Sequence, residues 1–307
     1  MYLKDESTHP TGSLKHRPAR SLFLYGLCNG WITENTTIIE ASSGSTAVSE
    51  AYFARLIGLP FIAVMPSCTA RPQGGQIAFT AAAVTSSITP PDLRRLRTAG
   101  EELNGHYMDQ FTYAERATDW RGNNNIADSI FRQMAREPFP VPKHIVMSAG
   151  TGGTSATLGR YIRYQGHDTQ LTVVDPENSV FYDCFHHGDR TDRQLRQPYR
   201  RHRPPARRAV VHPVGGRQHA AGAGCRQRRY HSLAGRRVRP QGWRFHRHQR
   251  LGALQLAKQM RENGEQGAIV TLLCDSGERY LDTYYNPEWV SNNIGDLQPY
   301  LAQLADL

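Results

Sequence analysis

What most constrains the fold of this chain is a repeated alternation between short apolar runs and helix-spaced segments. Thr36–Glu40, Pro60–Met65, His144–Met147, Leu171–Val174 and Ala268–Cys274 are apolar or β-branched at consecutive rather than alternate positions. That pattern marks strands buried on both faces. Between them lie segments with helical spacing: Leu14–Cys28, Ala47–Leu56, Asn124–Arg136, Ser155–Gln165 and Leu251–Asn263. Ser42–Ser45 offers caps to one helix, and Gly58 can end it. Met1–Leu3 reads as an opening strand and Asp5–Ser13 as a polar turn. Strands that alternate with helices imply a mostly parallel sheet with helical crossovers, an α/β fold. No repeat period is visible.

A chain of 307 residues with 21% charged and 39% hydrophobic residues suits a globular protein of one large domain or two α/β lobes. No apolar run approaches the roughly 18–20 residues that span a bilayer. The N-terminus has no apolar core of the secretory kind, so a cytoplasmic location and no membrane partner are expected. The five cysteines (Cys28, Cys68, Cys184, Cys225 and Cys274) are odd in number and form no CxxC pair, which argues against a disulfide framework or a zinc site. His186-His187 and His246–His248 lack Cys or carboxylate partners at ligand spacing, so no metal is expected. The net charge of +10 would suggest nucleic acid, but its distribution does not. From Arg190 to Arg250 there are 18 Arg, no Lys and one acid, Asp192, for +17, leaving 10 − 17 = −7 on the rest. Basic arms usually mix Lys with Arg, and Tyr230, Trp243 and Phe245 form no stacking platform, so nucleic acid is not the expected partner.

Chemistry concentrates in four places. Lys15 opens a helix next to Pro10-Thr11-Gly12-Ser13. A lone lysine there would be a solvated surface residue. Near apolar surface and the positive end of a helix, however, its ammonium form is disfavoured and the amine can attack an aldehyde. Gly150-Thr151-Gly152-Gly153-Thr154 is a glycine turn between a strand and a helix. It can be a plain turn, or it can close backbone N–H groups and two hydroxyls around an anion. Ser42-Ser43-Gly44-Ser45-Thr46 is a cluster of helix caps that can also bind a carboxylate. Ser276 sits in Ser276-Gly277-Glu278-Arg279-Tyr280-Leu281, where alone it would read as a strand-end cap.

Taken in order, these segments resemble the cysteine synthase and cystathionine β-synthase family of fold-type II pyridoxal-phosphate (PLP) enzymes. Lys4 to Arg17 matches K-x-E-x-x-x-P-T-G-S-x-K-x-R, residues 150–154 match G-T-G-G-T, and residues 276–283 are close to S-G-E-R-Y-L-S-T. The resemblance implies two lobes, each with a mostly parallel sheet flanked by helices: 1–135 with the PLP lysine and substrate loop, and 136–307 with the phosphate cradle. It implies that Lys15 forms the Schiff base with PLP and acts as general base, and that Gly150, Thr151, Gly152, Gly153 and Thr154 cradle the phosphate. Ser276 then bonds the pyridine nitrogen, where a hydroxyl gives a milder electron sink than a carboxylate and suits elimination and replacement at the β-carbon. Ser42, Ser43, Gly44 and Thr46 would hold the carboxylate of a small amino-acid substrate. Gln110, in a Gln-Phe pair, would assist them, or else be an ordinary surface residue. Ser45 stands where the family has an asparagine that contacts the cofactor, and Ala47 where it has a glycine.

These departures, together with Tyr113–Arg116, Trp120–Asn125 and Asp175–Ser179, resemble the branch described as L-cysteine desulfhydrases. The implied reaction is β-elimination on cysteine, giving sulfide, pyruvate and ammonia. The alternatives are cysteine synthase, which replaces the acetyl group of O-acetylserine with sulfide, and an inactive remnant of either. A homodimer is the expected assembly. The family has several tens of residues before the K-x-E strand, so a truncated N-terminus is expected.

Two stretches break the strand–helix rhythm, 68–100 and 184–250. Codons can be chosen for Thr80–Thr89 that read GGRCHFVDH one frame over, and for Gln241–Gln249 that read KVGGSTGT; both are family-like. The expectation is therefore a shifted reading frame in the gene, an exposed or poorly ordered Thr191–Arg250, and weak or absent activity in this chain. Unpaired buried charges there would each cost several kcal/mol.

Overall fold

The computed structural model describes residues 1–42, 44–65, 83–86, 105–122, 125–176, 209–214, 246–282 and 284–293. Its strands are β1 (Tyr2–Asp5), β2 (Thr37–Glu40), β3 (Phe61–Met65), β4 (Ala83–Ser86), β5 (Gly105–Tyr107), β6 (His144–Ser148), β7 (Gln170–Pro176), β8 (Ala209–Val214) and β9 (Ile269–Leu273). Its helices are α1 (His16–Cys28), α2 (Ser45–Leu56), α3 (Gln110–Tyr113), α4 (Ile126–Met134), α5 (Gly153–Gln165), α6 (His246–Glu262) and α7 (Pro287–Asn293). Each run read above as a strand or helix forms that element, with ends shifted by a few residues. The chain divides into two compact units: Glu6–Asp119 with Cys274–Arg279, and Met1–Asp5 with Trp120–Leu273 and Tyr280–Leu307.

The smaller unit is a parallel sheet in the order β4-β3-β2-β5, with α1 and α2 packed together. Ala47, Ala51 and Ala54 recur at helical spacing on α2 and are wholly buried. With no side chain beyond Cβ, they let α2 lie close to Ile38 and Phe61 in one apolar cluster. Burying a ring such as that of Phe61 contributes about 1.5–3 kcal/mol. Parallel strands deliver their loops at one edge, the C-terminal ends, where ligands of open α/β sheets bind. Here that edge carries Ser42 and Gly44 after β2 and the Met108–Gln110 segment after β5.

The larger unit holds a five-stranded sheet in the order β1-β9-β6-β7-β8, parallel except for β8 against β7. The first five residues belong here because β1 forms a ladder with β9, pairing Tyr2 with Val270. The units therefore interleave in sequence rather than parting at residue 135. Helix α4 packs with α5, and Phe131 of α4 stacks on His167, just past the end of α5, at 4.2 Å between ring centres. Helix α6 covers the sheet through Ala253, Leu256 and Met260, which cluster with Val146, Val174 and Ile269.

The two irregular stretches need a correction. Within 68–100 the described residues form β4, which lies parallel to β3 through Val84 and Thr85. Within 184–250 they form β8 and the first turn of α6. Ala209–Val214 is free of arginine, so it can join a sheet without burying charge. Gln249 is not exposed as expected but wholly buried. Its Oε1 accepts from the Ser148 backbone N–H at 3.1 Å, and its Nε2 donates to the Leu272 carbonyl. One amide thus joins α6 to β6 and β9. Beside it, the buried Nε of Arg250 has no hydrogen-bonding partner among the described residues. The remaining candidates of this stretch, including His186, His187, Tyr230, Trp243 and Phe245, lie outside the described residues, as do the side chains of His246–His248.

Replacing Gln249 by Leu removes both bonds but fills the same space. Leaving a buried donor and acceptor unpaired costs about 1–3 kcal/mol. The urea midpoint of Gln249→Leu is expected to fall accordingly, and an unchanged midpoint would refute the assignment of Gln249 as a tie between these elements.

Candidate functional site

The smaller unit brings together two motifs from opposite ends of the chain. The Gly12 N–H donates to the His9 carbonyl, closing a turn over Pro10 and Thr11. Gly12 has φ +65°, a conformation that residues with a Cβ rarely adopt. An added Cβ would also lie 3.6 Å from the Ser276 Oγ. The Leu14 N–H then donates to the Cys274 carbonyl at 2.7 Å, and the Ser276 N–H to the Gly12 carbonyl at 3.2 Å. Ser13 and Asp275 form an antiparallel bridge. The PTGS turn and the SGER turn are therefore one small piece of sheet. The Ser276 side chain is exposed, and its hydroxyl has no hydrogen-bonding partner among the described residues.

Lys15 occupies the N-cap of α1, with φ −68° and ψ −14°. Its position is fixed from both sides. Before it, Glu6 is wholly buried and accepts from Arg17 through Nε at 2.5 Å and Nη2 at 2.9 Å, and bonds His9 at 3.0 Å. This forked pair accounts for the E and the R of the K-x-E…K-x-R pattern. After it, His16 bonds Thr11 Oγ1 at 3.3 Å and packs on Phe53 of α2. Burial holds the His16 pKa down to about 4, with His9 and Arg17 adding to the effect, so this ring is neutral at physiological pH. Thr11 Oγ1 also bonds Ser49 Oγ on α2 at 2.9 Å.

Burial lowers the pKa of the Lys15 amine; the charges of Glu50, then Glu40, then Cys274 oppose that shift. Glu40 ends β2 and is wholly buried. Its Oε1 accepts from the Ala41 N–H at 2.7 Å and its Oε2 from the Gln110 N–H at 3.1 Å. Burial raises its pKa to about 7 in spite of those two bonds. Glu50 lies on the buried face of α2, and neither of its carboxyl oxygens has a hydrogen-bonding partner among the described residues. Burial, and then the charge of Glu40, push its pKa well up, while Lys15 pulls it down.

The Gly44–Thr46 segment starts α2, with Gly44 as the N-cap. Ser42 Oγ accepts from the Gly44 N–H at 3.3 Å. Ser45 is the first helical residue, and Ser43 lies outside the described residues. Thr46 Oγ1 donates to Gln110 Oε1 at 2.8 Å. The two substrate-loop candidates thus bond each other, and Gln110 is buried rather than on the surface. Asp109, just before it, takes the left-handed conformation at φ 48°, where Asp is among the tolerated residues. Its side chain caps α3 by accepting from the Thr112 N–H.

In the larger unit, β6 leads through Ala149–Thr151 into α5. Gly152 is the N-cap of that helix, left-handed at φ 82°, and Gly153 is buried at its first position. A helix start leaves its first-turn N–H groups without intrahelical partners, and here Thr151 and Thr154 flank them, the group types that an anion cradle uses. No group of three or more His, Cys, Asp or Glu that could hold a metal occurs among the described residues. None of their helices is long and apolar enough to cross a membrane.

The residues fit PLP on their own chemistry. An amine whose charged form is disfavoured suits an aldehyde, a glycine turn at a helix N-terminus suits a phosphate, and a hydroxyl without a partner suits a ring nitrogen. Sequence reading singled out all three. It passed over Glu40 and Glu50, although a glutamate within the buried alanine face of α2 breaks the helical pattern and could have been noticed.

The chain belongs to the family described as pyridoxal-phosphate dependent enzymes, which it matches over residues 1–206. It is 52% identical over 308 residues to L-cysteine desulfhydrase Cds1 of Mycobacterium tuberculosis (strain ATCC 25177 / H37Ra), covering 95% of this chain and 80% of that protein. It is 27% identical over 320 residues to N-(2-amino-2-carboxyethyl)-L-glutamate synthase of Ralstonia nicotianae, covering 95% and 84%. A hydrogen sulfide-producing enzyme from Fusobacterium nucleatum shares the fold with a TM-score of 0.66 at 19% identity, over 95% of this chain and 87% of that one. An O-acetylserine dependent cystathionine beta-synthase from Helicobacter pylori gives 0.59 at 19% identity, over 92% and 88%.

Proposed function

We propose that this chain is an L-cysteine desulfhydrase, a PLP-dependent lyase that releases sulfide, pyruvate and ammonia from L-cysteine. The observation that carries the reading is the piece of sheet that fixes Lys15 next to the Ser276 turn, in a chain half identical to a cysteine desulfhydrase. When bound, PLP draws electrons away from the α-carbon of an amino acid. Lys15 provides the attachment point, and its Nζ holds and moves the α-proton. Ser276 donates or accepts at the ring nitrogen without bringing a charge. Ser42, Ser43, Gly44 and Thr46 take the substrate carboxylate. Gln110, whose carbonyl oxygen is engaged by Thr46, is left with its amide N–H groups to donate. Gly150, Thr151, Gly152, Gly153 and Thr154 take the phosphate. Ser45 donates a shorter hydrogen bond where a longer amide would otherwise reach. The working assembly is a homodimer in the cytoplasm.

The test is product analysis with PLP present. L-Cysteine alone is expected to yield sulfide, pyruvate and ammonia in equal amounts. Formation of cysteine from O-acetylserine and sulfide, with no sulfide released from cysteine, would instead assign β-replacement.

A further inference from the structure

Glu50 is a carboxyl group where the fold calls for an apolar side chain. Along α2 its neighbours on the same face are Ala47, Ala51 and Ala54, all wholly buried like Glu50 itself. An unpartnered buried carboxylate costs several kcal/mol, so a purely structural position would be filled by leucine or alanine. The Lys15 segment meets α2 on either side of Glu50, where Thr11 Oγ1 bonds Ser49 Oγ at 2.9 Å and His16 packs on Phe53, and the charges that act on Glu50 are those of Glu40, at the end of β2, and Lys15, ahead of α1. Lys15 feels Cys274 in addition, and Glu40 feels Asp109. Of the groups acting on Glu50, only Lys15 favours its ionised form. Glu40 is already committed to the N–H groups of Ala41 and Gln110. Glu50 has no such commitment, so its oxygens are free to take a proton.

We propose that Glu50 is the proton store of Lys15, taking a proton from Nζ when the amine must be neutral and returning it when the amine is set free. The step balances without any further reactant. An N–H bond of the ammonium breaks and its electron pair stays on nitrogen. An O–H bond forms on the Glu50 carboxylate, and an ion pair becomes a neutral amine and a neutral acid. Because the pair carries no net charge in either form, the transfer adds no buried charge. The carboxyl oxygens make no hydrogen bond to Nζ, so a bridging water or a turn of the lysine chain completes the path. Glu50 acts through Lys15 and is a positioning residue. The proposal rests on the reading of Lys15 as the attachment lysine, and the test separates the two.

The 307-residue chain is stripped of cofactor with hydroxylamine and methylated with formaldehyde and cyanoborohydride, from neutral to alkaline pH. Peptide mass mapping gives the rate at Lys15, with Lys258 of α6 as reference in the same digest. Glu50→Gln and Glu50→Leu are expected to move the Lys15 midpoint down by about one pH unit, a tenfold faster reaction below the midpoint, and to leave Lys258 unchanged. Folded variants whose Lys15 profile coincides with the wild type would overturn the proposal. An independent reading uses infrared spectra of the chain with isotope-labelled glutamate: a protonated carboxyl at neutral pH that is lost in Glu50→Gln is expected, and its absence from the wild type or its persistence in the variant would also overturn the proposal. Formaldehyde labelling does not depend on PLP, whereas a borohydride-trapped PLP adduct at another lysine would refute the Lys15 reading by itself.

Discussion

Lys15→Ala is expected to lose the borohydride-trapped PLP adduct and to slow sulfide release from cysteine by about a thousandfold or more. Losing a positioned general base removes about 10²–10⁴ in rate, and here the same substitution also removes covalent attachment. The fold should not suffer. The backbone of Lys15 still accepts from the Ala19 N–H to open α1, and the side chain removed is one whose charge is disfavoured by burial. The variant should therefore melt within a few degrees of the parent. An adduct that maps to a different lysine, with sulfide release intact, would end the assignment. So would a variant that loses activity only because it unfolds, which circular dichroism detects.

The second large effect falls on stability. Arg17→Met leaves Glu6 wholly buried without the guanidinium that forks onto both of its oxygens. Breaking one side of a buried pair costs about 3–5 kcal/mol, whereas replacing both members by apolar residues of similar volume can be neutral or better. With a net stability of about 5–15 kcal/mol for a typical domain, the single variant is close to unfolding. The double variant Glu6→Leu, Arg17→Met should recover most of the loss. A double-mutant cycle in urea tests this: a coupling above about 2 kcal/mol is expected for groups in direct contact. Strictly additive losses would show that the pair holds nothing together.

The legibility of this chain followed the range of the interactions involved. The strands β2, β3, β6 and β9 could be read because burial on both faces writes itself into consecutive apolar residues. The helices α1, α2 and α5 could be read because their caps and spacing are local. Lys15, Gly152 and Ser276 stood out because each sits in a motif with its own local physics, a helix start or a tight turn. What could not be read was set by partners distant in sequence. Gly105–Tyr107 becomes β5 only because β2 lies beside it. Ala209–Val214 becomes β8 through its antiparallel ladder with β7. Gln249 looked like part of a charged, irregular run, and its burial is decided by Ser148 and Leu272 on two different strands. Gln110 was balanced between surface and site until Thr46 and Glu40 were seen to hold it.

The backbone bond from Leu14 to Cys274 has a consequence for biosynthesis. The two residues are roughly 260 positions apart, and joining ends so distant carries a loop-closure penalty that local structure cannot offset early. A ribosome therefore delivers the turn ahead of Lys15 long before the Ser276 turn that it pairs with. Until that turn emerges, the Leu14 N–H and the Gly12 carbonyl lack the partners that hold the turn ahead of Lys15. The setting of the lysine is thus completed only when the late segment docks, so the unit that carries it is assembled after both of its pieces have been made.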